Sequence, residues 1–399
     1  MEKSKIKTSE KTAFLKMVTG DSMKRNTTTA LQAGFIFFLF CAFAFLPLQT
    51  IAASMSTVTV KGMPWAVAIT SDGKYAYVPN GNNVSAIDLA TNKVIAIIDV
   101  KGSNGIAITP NCKSAYVTCS YQESNSIAVI NVASNKVTDT ITLDGSPGGV
   151  AISSNGEFAY VSGSTIIGTN GVGMVWVINT TINEVVKTIT VESSPNALAI
   201  APDGEYVYVA NGGSSSVSVI NTKTNDVTAT VTVGMNPDGL AITSDSTYLY
   251  VTNLASNSVS IINTATNTVT TTVAGVTNPN GIALTPNNEY AYVTNGINNS
   301  VSVINTTTKE VNTTIAFGVT PYCIAFTPDG QYAYVTNLLD GTVSAIDTNN
   351  NSVLTNTLPS SNSEFPYQVP IIAAFILAVF TVLGLFVARH VKRAYAKRQ

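Results

Sequence analysis

Three observations predict an all-β fold built of repeats. First, an aromatic strand of the form Tyr-x-Tyr-Val-Thr-Asn recurs with variations seven times between residues 75 and 337; its second Tyr falls at Tyr77, Tyr116, Tyr160, Tyr208, Tyr250, Tyr292 and Tyr334, at spacings of 39, 44, 48, 42, 42 and 42 residues. Second, each spacing holds short runs of β-branched and aromatic residues bounded by Gly, Asn, Asp or Pro, which suit strands and are too short for helices. Third, Asp72-Gly73, Asn155-Gly156, Asp203-Gly204 and Asp329-Gly330 stand at one phase of the repeat, and such dipeptides tolerate the positive φ of a tight hairpin. Four strands in a period of about 40 residues make one propeller blade. The expected fold is a seven-bladed β-propeller of four-stranded antiparallel blades.

The fifth copy shows the internal order. Gly239-Leu240-Ala241-Ile242-Thr243 is strand A, Tyr248-Leu249-Tyr250-Val251-Thr252-Asn253 is strand B, Val259-Ser260-Ile261-Ile262-Asn263 is strand C, and Val269-Thr270-Thr271-Thr272-Val273 is strand D. Strand A is almost wholly apolar, as expected of an inner strand packed on both faces, whereas D alternates Thr with Val like an outer, half-wetted strand. For ring closure two pieces compete: residues 56–60 read as a D strand before the first blade, and residues 352–358 as a D strand after the last. Either one or both could take the outer position.

Flanking the repeat array (residues 55–358) are two apolar segments. Residues 30–53, with the core Gly34-Phe35-Ile36-Phe37-Phe38-Leu39-Phe40, follow Lys24-Arg25 and lead to Ala52-Ala53-Ser54. Basic start, apolar middle and small-residue exit read as a secretory signal within residues 1–54. Its proportions are ordinary if Met23 is the true start; a retained anchor helix is the alternative. After a linker, residues 359–368, the 20 uncharged residues 369–388 precede Arg389, Lys392, Arg393, Lys397 and Arg398 in the tail 389–399. That length spans a bilayer as a helix, with the basic tail cytoplasmic. The expected localisation is a single-pass cell-membrane protein with its propeller outside.

Residues 55–358 hold nine Lys, no Arg and 19 Asp plus Glu, a formal charge of −10. Without clustered Lys and Arg to displace counterions, nucleic acid is excluded as a partner. Candidate N-glycosylation acceptors are Asn83, Asn179, Asn298, Asn305, Asn312 and Asn350, a pattern that fits an exported domain. Beyond the signal the chain keeps Cys112, Cys119 and Cys323, an odd number that argues against a disulfide framework.

The only histidine, His390, lies in the basic tail. The propeller therefore has no imidazole for a Ser-His-Asp triad or a His-based metal site, and neither cofactor nor metal is expected. Asp72, Asp203, Asp245 and Asp329 occupy the same A–B turn of successive repeats, where hairpin geometry explains them better than acid-base catalysis.

The Tyr-Val-Thr-Asn strands, the following Val-Ser-Val-Ile-Asn (residues 217–221 and 301–305) and the Pro279-Asn280-Gly281-Ile282-Ala283 start of strand A resemble the YVTN β-propeller repeat family, common in archaeal surface-layer proteins. The resemblance covers roughly three quarters of the chain. It implies a seven-bladed propeller at the cell surface with a structural or adhesive role and no defined reaction. Related propellers form parts of nitrous-oxide and nitrite reductases and of lactonases. Their sites depend on His or on Arg and Glu clusters that this sequence lacks, so no catalytic residue is carried over.

Departures of one repeat from the others mark the candidate site. Just after the loop that precedes strand A the copies carry Trp65, Asn104, Gly148, Asn196, Asp238, Asn280 and Tyr322, all at one end of the channel. Asn is the common choice, while the first and seventh blades, neighbours in a closed ring, have Trp65 and Tyr322. Two readings are open: the aromatics flank a ligand such as a sugar ring, with Asn104, Asn196, Asp238 and Asn280 as hydrogen-bonding groups, or they pack on each other to seal the ring. At the same end, blade 2 inserts Ser120, Tyr121, Gln122 and Glu123, and blade 3 has residues 162–173 with Ile166 and Ile167. Long loops on a rigid scaffold suit recognition, although tolerated insertion explains them equally. The function expected first is a surface adhesion or protein-interaction module without catalysis. A glycan or small-ligand binding protein comes second, and a lactonase-like hydrolase last.

Overall fold

The computed structural model describes residues 57–121, 124–167 and 170–354. The expected signal, linker, membrane helix and tail lie outside them, as do Gln122 and Glu123. Among the described residues there are 29 strands and no helix.

Each of blades 1 to 6 is a four-stranded antiparallel sheet in the order A-B-C-D, and the seventh is closed by two pieces of chain. Strands A of successive blades touch one another round the axis, from the first back to the seventh. Strands B and C are almost completely buried, as in Tyr248–Asn253 and Ser258–Asn263. Strands A and D depart from expectation. Strand A is only half-buried, as in Pro321–Phe326, because one side borders the axial channel instead of packed side chains. Strand D departs only in part: Lys93–Asp99 and Glu310–Ala316 alternate exposed with half-buried residues as expected, whereas in Lys136–Thr142 only Ile141 is buried, since no further layer covers the perimeter.

The apolar core is divided among the joints between blades. There are seven clusters, each built from two adjacent blades. This follows from the period of two along a strand: on strand B of blade 2, Tyr116 faces blade 3 while Ala115 and Val117 face blade 1. A large Tyr on one sheet thus meets small Ala on the next, as Tyr77 meets Ala115 and Tyr292 meets Ala333.

Burial of the tyrosine ring favours a hydrogen-bond partner for its hydroxyl, and at five of the seven joints the next blade supplies it. The Tyr77 hydroxyl donates to Asn135 Oδ1 at 2.6 Å, Tyr116 to Asn183 Oδ1 at 2.6 Å, Tyr160 to Asn225 Oδ1 at 3.2 Å, and Tyr334 to Asn92 Oδ1 at 3.2 Å across the closing joint. Tyr292 donates likewise to Asn351. Each acceptor sits in a C–D turn at positive φ, between 52° and 56°, a backbone state that Asn tolerates well. At the joint after Tyr250 the turn residue is Lys309 (φ 59°), whose ammonium lies 4.9 Å from the Tyr248 ring centroid.

Closure uses both competing pieces. The last strand C, Thr342–Asp347, pairs along one half with Thr57–Thr59 and along the other with Ser352–Val353. Leu354 N–H donates to the Ala345 carbonyl at 2.7 Å, and Thr57 pairs with Ser344, the next residue along. The two pieces therefore run collinearly, end to end, as one composite strand D, with Val58, Val60 and Leu354 in the same closing core.

Burial pushes the phenols of Tyr77, Tyr116, Tyr208, Tyr250, Tyr292 and Tyr334 from 10.0 up to about 12. Below pH 10.0 both folded and unfolded chains keep these protons. Above it the unfolded chain releases them while the folded chain holds them, so stability falls as pH rises from 10.0 toward about 12. A pH titration followed by circular dichroism and tyrosinate absorbance should show sheet loss coincident with an ionisation step in that window. Intact sheet signal beyond pH 12 would contradict it. At neutral pH, Tyr116→Phe should cost about 1–2 kcal/mol, by loss of the bond to Asn183, and Tyr250→Phe less than about 0.5 kcal/mol. Urea midpoints of the two variants test the contrast.

Candidate functional site

Strand A of blades 2 to 7 begins with a bulge, for example between Pro279 and Ile282 and between Pro321 and Ile324. A bulge re-aims the extra residue, and here the re-aimed residues are those that depart from the repeat. The following position is small, because the next blade is close: a Cβ on Gly281 would lie 2.5 Å from the Tyr322 carbonyl oxygen.

A strand-B hydroxyl holds this geometry. Thr252 Oγ1 accepts the Gly239 N–H of its own blade at 2.7 Å and donates to the Asn280 carbonyl of the next at 2.6 Å. Thr118 treats Gly105 and Gly148 in the same way, Thr294 treats Gly281 and Tyr322, and Ser162 treats Gly149 and Asn196. In sequence these Thr residues read only as part of the Tyr-Val-Thr-Asn strand, and their fixed phase in the motif is the signal of this role. The bridge is absent after blades 1 and 4, where Pro79 and Ala210 replace the hydroxyl residue. After blade 7, Thr336 bonds within its own blade, to Cys323.

The bulges surround a cavity of about 250 Å³ at the channel mouth, which Trp65, Asn104, Gly148, Asn196, Asp238 and Tyr322 all line. Asn280 does not join them: it is 5% exposed, and its amide nitrogen occupies the space that a Cβ on Gly296 would need. Cys323, absent from the candidate set, lines the cavity in place of the usual Gly or Ala. Trp65 and Tyr322 meet edge to face, centroids 5.5 Å apart at 88°, so the aromatics pack on each other and also border the cavity. Such a pair adds about 0.5–1.5 kcal/mol beyond its buried area.

Asp238 keeps a strip of surface open to the cavity while protein encloses the rest, and this burial pushes its carboxyl up to about 6. The two salt bridges among the described residues, Lys74–Asp72 and Lys223–Glu205, are elsewhere on the surface. Burial also raises the Tyr322 phenol and the Cys323 thiol, with the nearby Asp238 charge as a lesser cause. The turn aspartates behave differently. The Thr70 hydroxyl donates to Asp72 Oδ1 and that of Thr327 to Asp329 Oδ1, each at 2.6 Å, and these bonds hold both carboxyls below their ordinary range.

Beside the mouth, the segments expected as loops are hairpin extensions. Phe158–Ile167 pairs with Asn170–Asn179 through Ile166 opposite Gly171, and Ser114–Tyr121 pairs with Ser124–Asn131. Ser, Thr and Gly in these stretches resemble loop residues, yet their alternation with Val, Ile and Met continues the pleat. Ile166 is 78% and Tyr121 43% exposed. Among the glycosylation candidates, Asn298, Asn312 and Asn350 are exposed. Asn179 and Asn305 are half-buried and accept turn N–H groups, and Asn83 is half-buried and bonded to Asn80.

Residues 238–350 match the family model described as YNCE-like beta-propeller. Residues 117–226 and 177–281 match the model described as Lactonase, 7-bladed beta-propeller. The chain is a β-propeller. No curated protein matches its sequence. Among solved structures, Kuenenia stuttgartiensis hydrazine synthase aligns with a TM-score of 0.66 at 21% identity, over 75% of this propeller chain and 99% of that one; the likeness is one of fold. Among the propeller's described residues, no three His, Cys, Asp or Glu side chains gather as metal ligands would.

Thr252→Val keeps the shape of the propeller's bridging side chain but removes the partner of both Gly239 N–H and the Asn280 carbonyl. A stability loss of about 1–3 kcal/mol is expected, read as a lower urea midpoint at unchanged slope. A neutral result would deny the bridge its structural role.

Proposed function

We propose that the chain is a surface-tethered recognition propeller, anchored by residues 369–388, whose mouth-side face binds its ligand without catalysis. The observation that carries this reading is the mouth cavity. It gathers the residues that break the repeat, Trp65, Tyr322 and Asp238, in a concave space with Asn104 and Asn196 beside them. Aromatic surface with a few convergent polar groups is the usual make-up of a small-ligand site. The raised hairpins bearing Tyr121 and Ile166 extend the contact face for a larger surface partner.

The tether is compatible with this use. Thr57 and Leu354, where the described residues begin and end, both lie on the outer strand of the seventh blade, at the perimeter and not at the axis. The 14 residues 355–368 reach at most about 50 Å before the apolar segment. The lactonase-like match makes hydrolysis the second reading. The cavity offers one carboxylate and no histidine, and binding is the better supported of the two.

The test is a glycan and small-ligand array probed with residues 54–361, wild type and Trp65→Ala/Tyr322→Ala, alongside lactone hydrolysis. We expect wild-type binding, a loss of at least about tenfold in the double variant with an unchanged fold, and no turnover. Ligand-independent lactone hydrolysis at the mouth would replace this reading with the second.

A further inference from the structure

One group in the mouth cavity is out of keeping with the rest. The lining is Asn, Gly, aliphatic and aromatic residues with Cys323, and Asp238 is its single carboxylate, with no Lys, Arg or His lining the same space among the described residues. Two departures from the repeat act on it. Ala210 stands where a Thr would otherwise donate across the joint, so the Asp238 carbonyl lacks the hydroxyl cap that Gly148, Asn196, Asn280 and Tyr322 receive. Asn280, between Asp238 and Tyr322 in ring order, is withdrawn toward Gly296. Asp238 and Tyr322 thus border one space without an intervening amide.

We propose that this cavity binds a compact ligand through an ammonium group, primary or quaternary, which pairs with Asp238 and lies against Trp65 and Tyr322. The proposal rests on the recognition reading above and names its ligand class. A carboxylate enclosed by protein without a partner is costly and gains most from a cation that enters with the ligand. Trp and Tyr rings attract the same cation through their faces. A divalent metal ion fits less well, since it takes about six to eight oxygen ligands and the cavity supplies one carboxylate. At about 250 Å³ the space lies below the roughly 300–1,000 Å³ of drug-sized sites, which limits the ligand to about one ring or a short branched amine.

Protonation gives the proposal a second handle. The titratable groups that share the cavity with Asp238 are the Tyr322 phenol and the Cys323 thiol, both pushed up and therefore uncharged near neutrality. Asp238 alone changes charge there, at about 6. An ammonium ligand needs the carboxylate, so affinity climbs as pH rises through about 6 and levels off above it.

The experiment is isothermal titration of the full-length chain with two charged and uncharged pairs: choline against 3,3-dimethylbutan-1-ol, and glucosamine against glucose. At about pH 7 the charged member of at least one pair should bind tenfold or more tightly than its partner; whichever pair shows the preference distinguishes quaternary from primary ammonium. That preference should vanish in Asp238→Asn and weaken at about pH 5, a profile that wild type reports even if the variant folds poorly. Equal binding within both pairs, or a preference that survives Asp238→Asn and low pH, overturns the ammonium assignment. If the neutral members bind and Trp65→Ala weakens them, recognition at the mouth still stands. Absence of binding by all four probes overturns the ammonium assignment, and the ligand array then decides recognition at the mouth.

Discussion

Seven buried tyrosines, each held between one sheet and the next, support this ring. A single blade has no core of its own, because every apolar cluster takes half its side chains from a neighbour. Tyr occupies the large half of each contact and Ala, Val or, opposite Tyr208, Leu249 the smaller half, which sets the spacing of the sheets where the rings lie. Hydroxyl bonds such as Tyr77 to Asn135 then fix the rotation of one blade on the next. Cooperativity follows, since no blade can leave without exposing two cores.

Near the axis the same task passes to Thr. Its hydroxyl serves both a bulge amide in its own sheet and a carbonyl in the following one, as Thr294 does for Gly281 and Tyr322. Four of the mouth residues, Gly148, Asn196, Asn280 and Tyr322, are thus placed by backbone bonds, which leaves their side chains free to vary without loss of fold. This separation explains how Tyr, Asn and Gly can all stand at the bridged positions. Asp238 stands, like Asn104 and Trp65, at a joint without that bridge, where Ala210 replaces the hydroxyl residue.

Much of this was legible in the sequence. The period of the second Tyr in the motif and the turn dipeptides were enough for blade number and strand order; of the seven positions that the repeat places at the mouth, six line the cavity and Asn280 does not. What escaped depended on contacts between repeats. Ser-Thr-Val-Thr-Val and Asn-Ser-Val-Leu both read as outer strands, and only the shared partner Thr342–Asp347 decides that each takes half. Asn280 resembles Asn104 and Asn196 in sequence, yet Gly296 in a neighbouring loop gives its amide a place to withdraw. Residues 162–173 carry loop-like Gly and Ser, but a partner strand at the right register draws them into a hairpin. The half-buried state of strand A reflects the open channel, which no local run of residues encodes.

The composite closing strand has a mechanical consequence. Force that arrives from the C-terminal side meets the two-residue strand Ser352–Val353 before any other part of the sheet. That strand can peel off residue by residue, while Thr57–Thr59 remains paired with the other half of Thr342–Asp347 and keeps Val58 and Val60 in place. Tension on the chain beyond Leu354 is therefore relieved at an outer flap, and the ring stays shut under a pull that would open a propeller closed by its C-terminal strand alone.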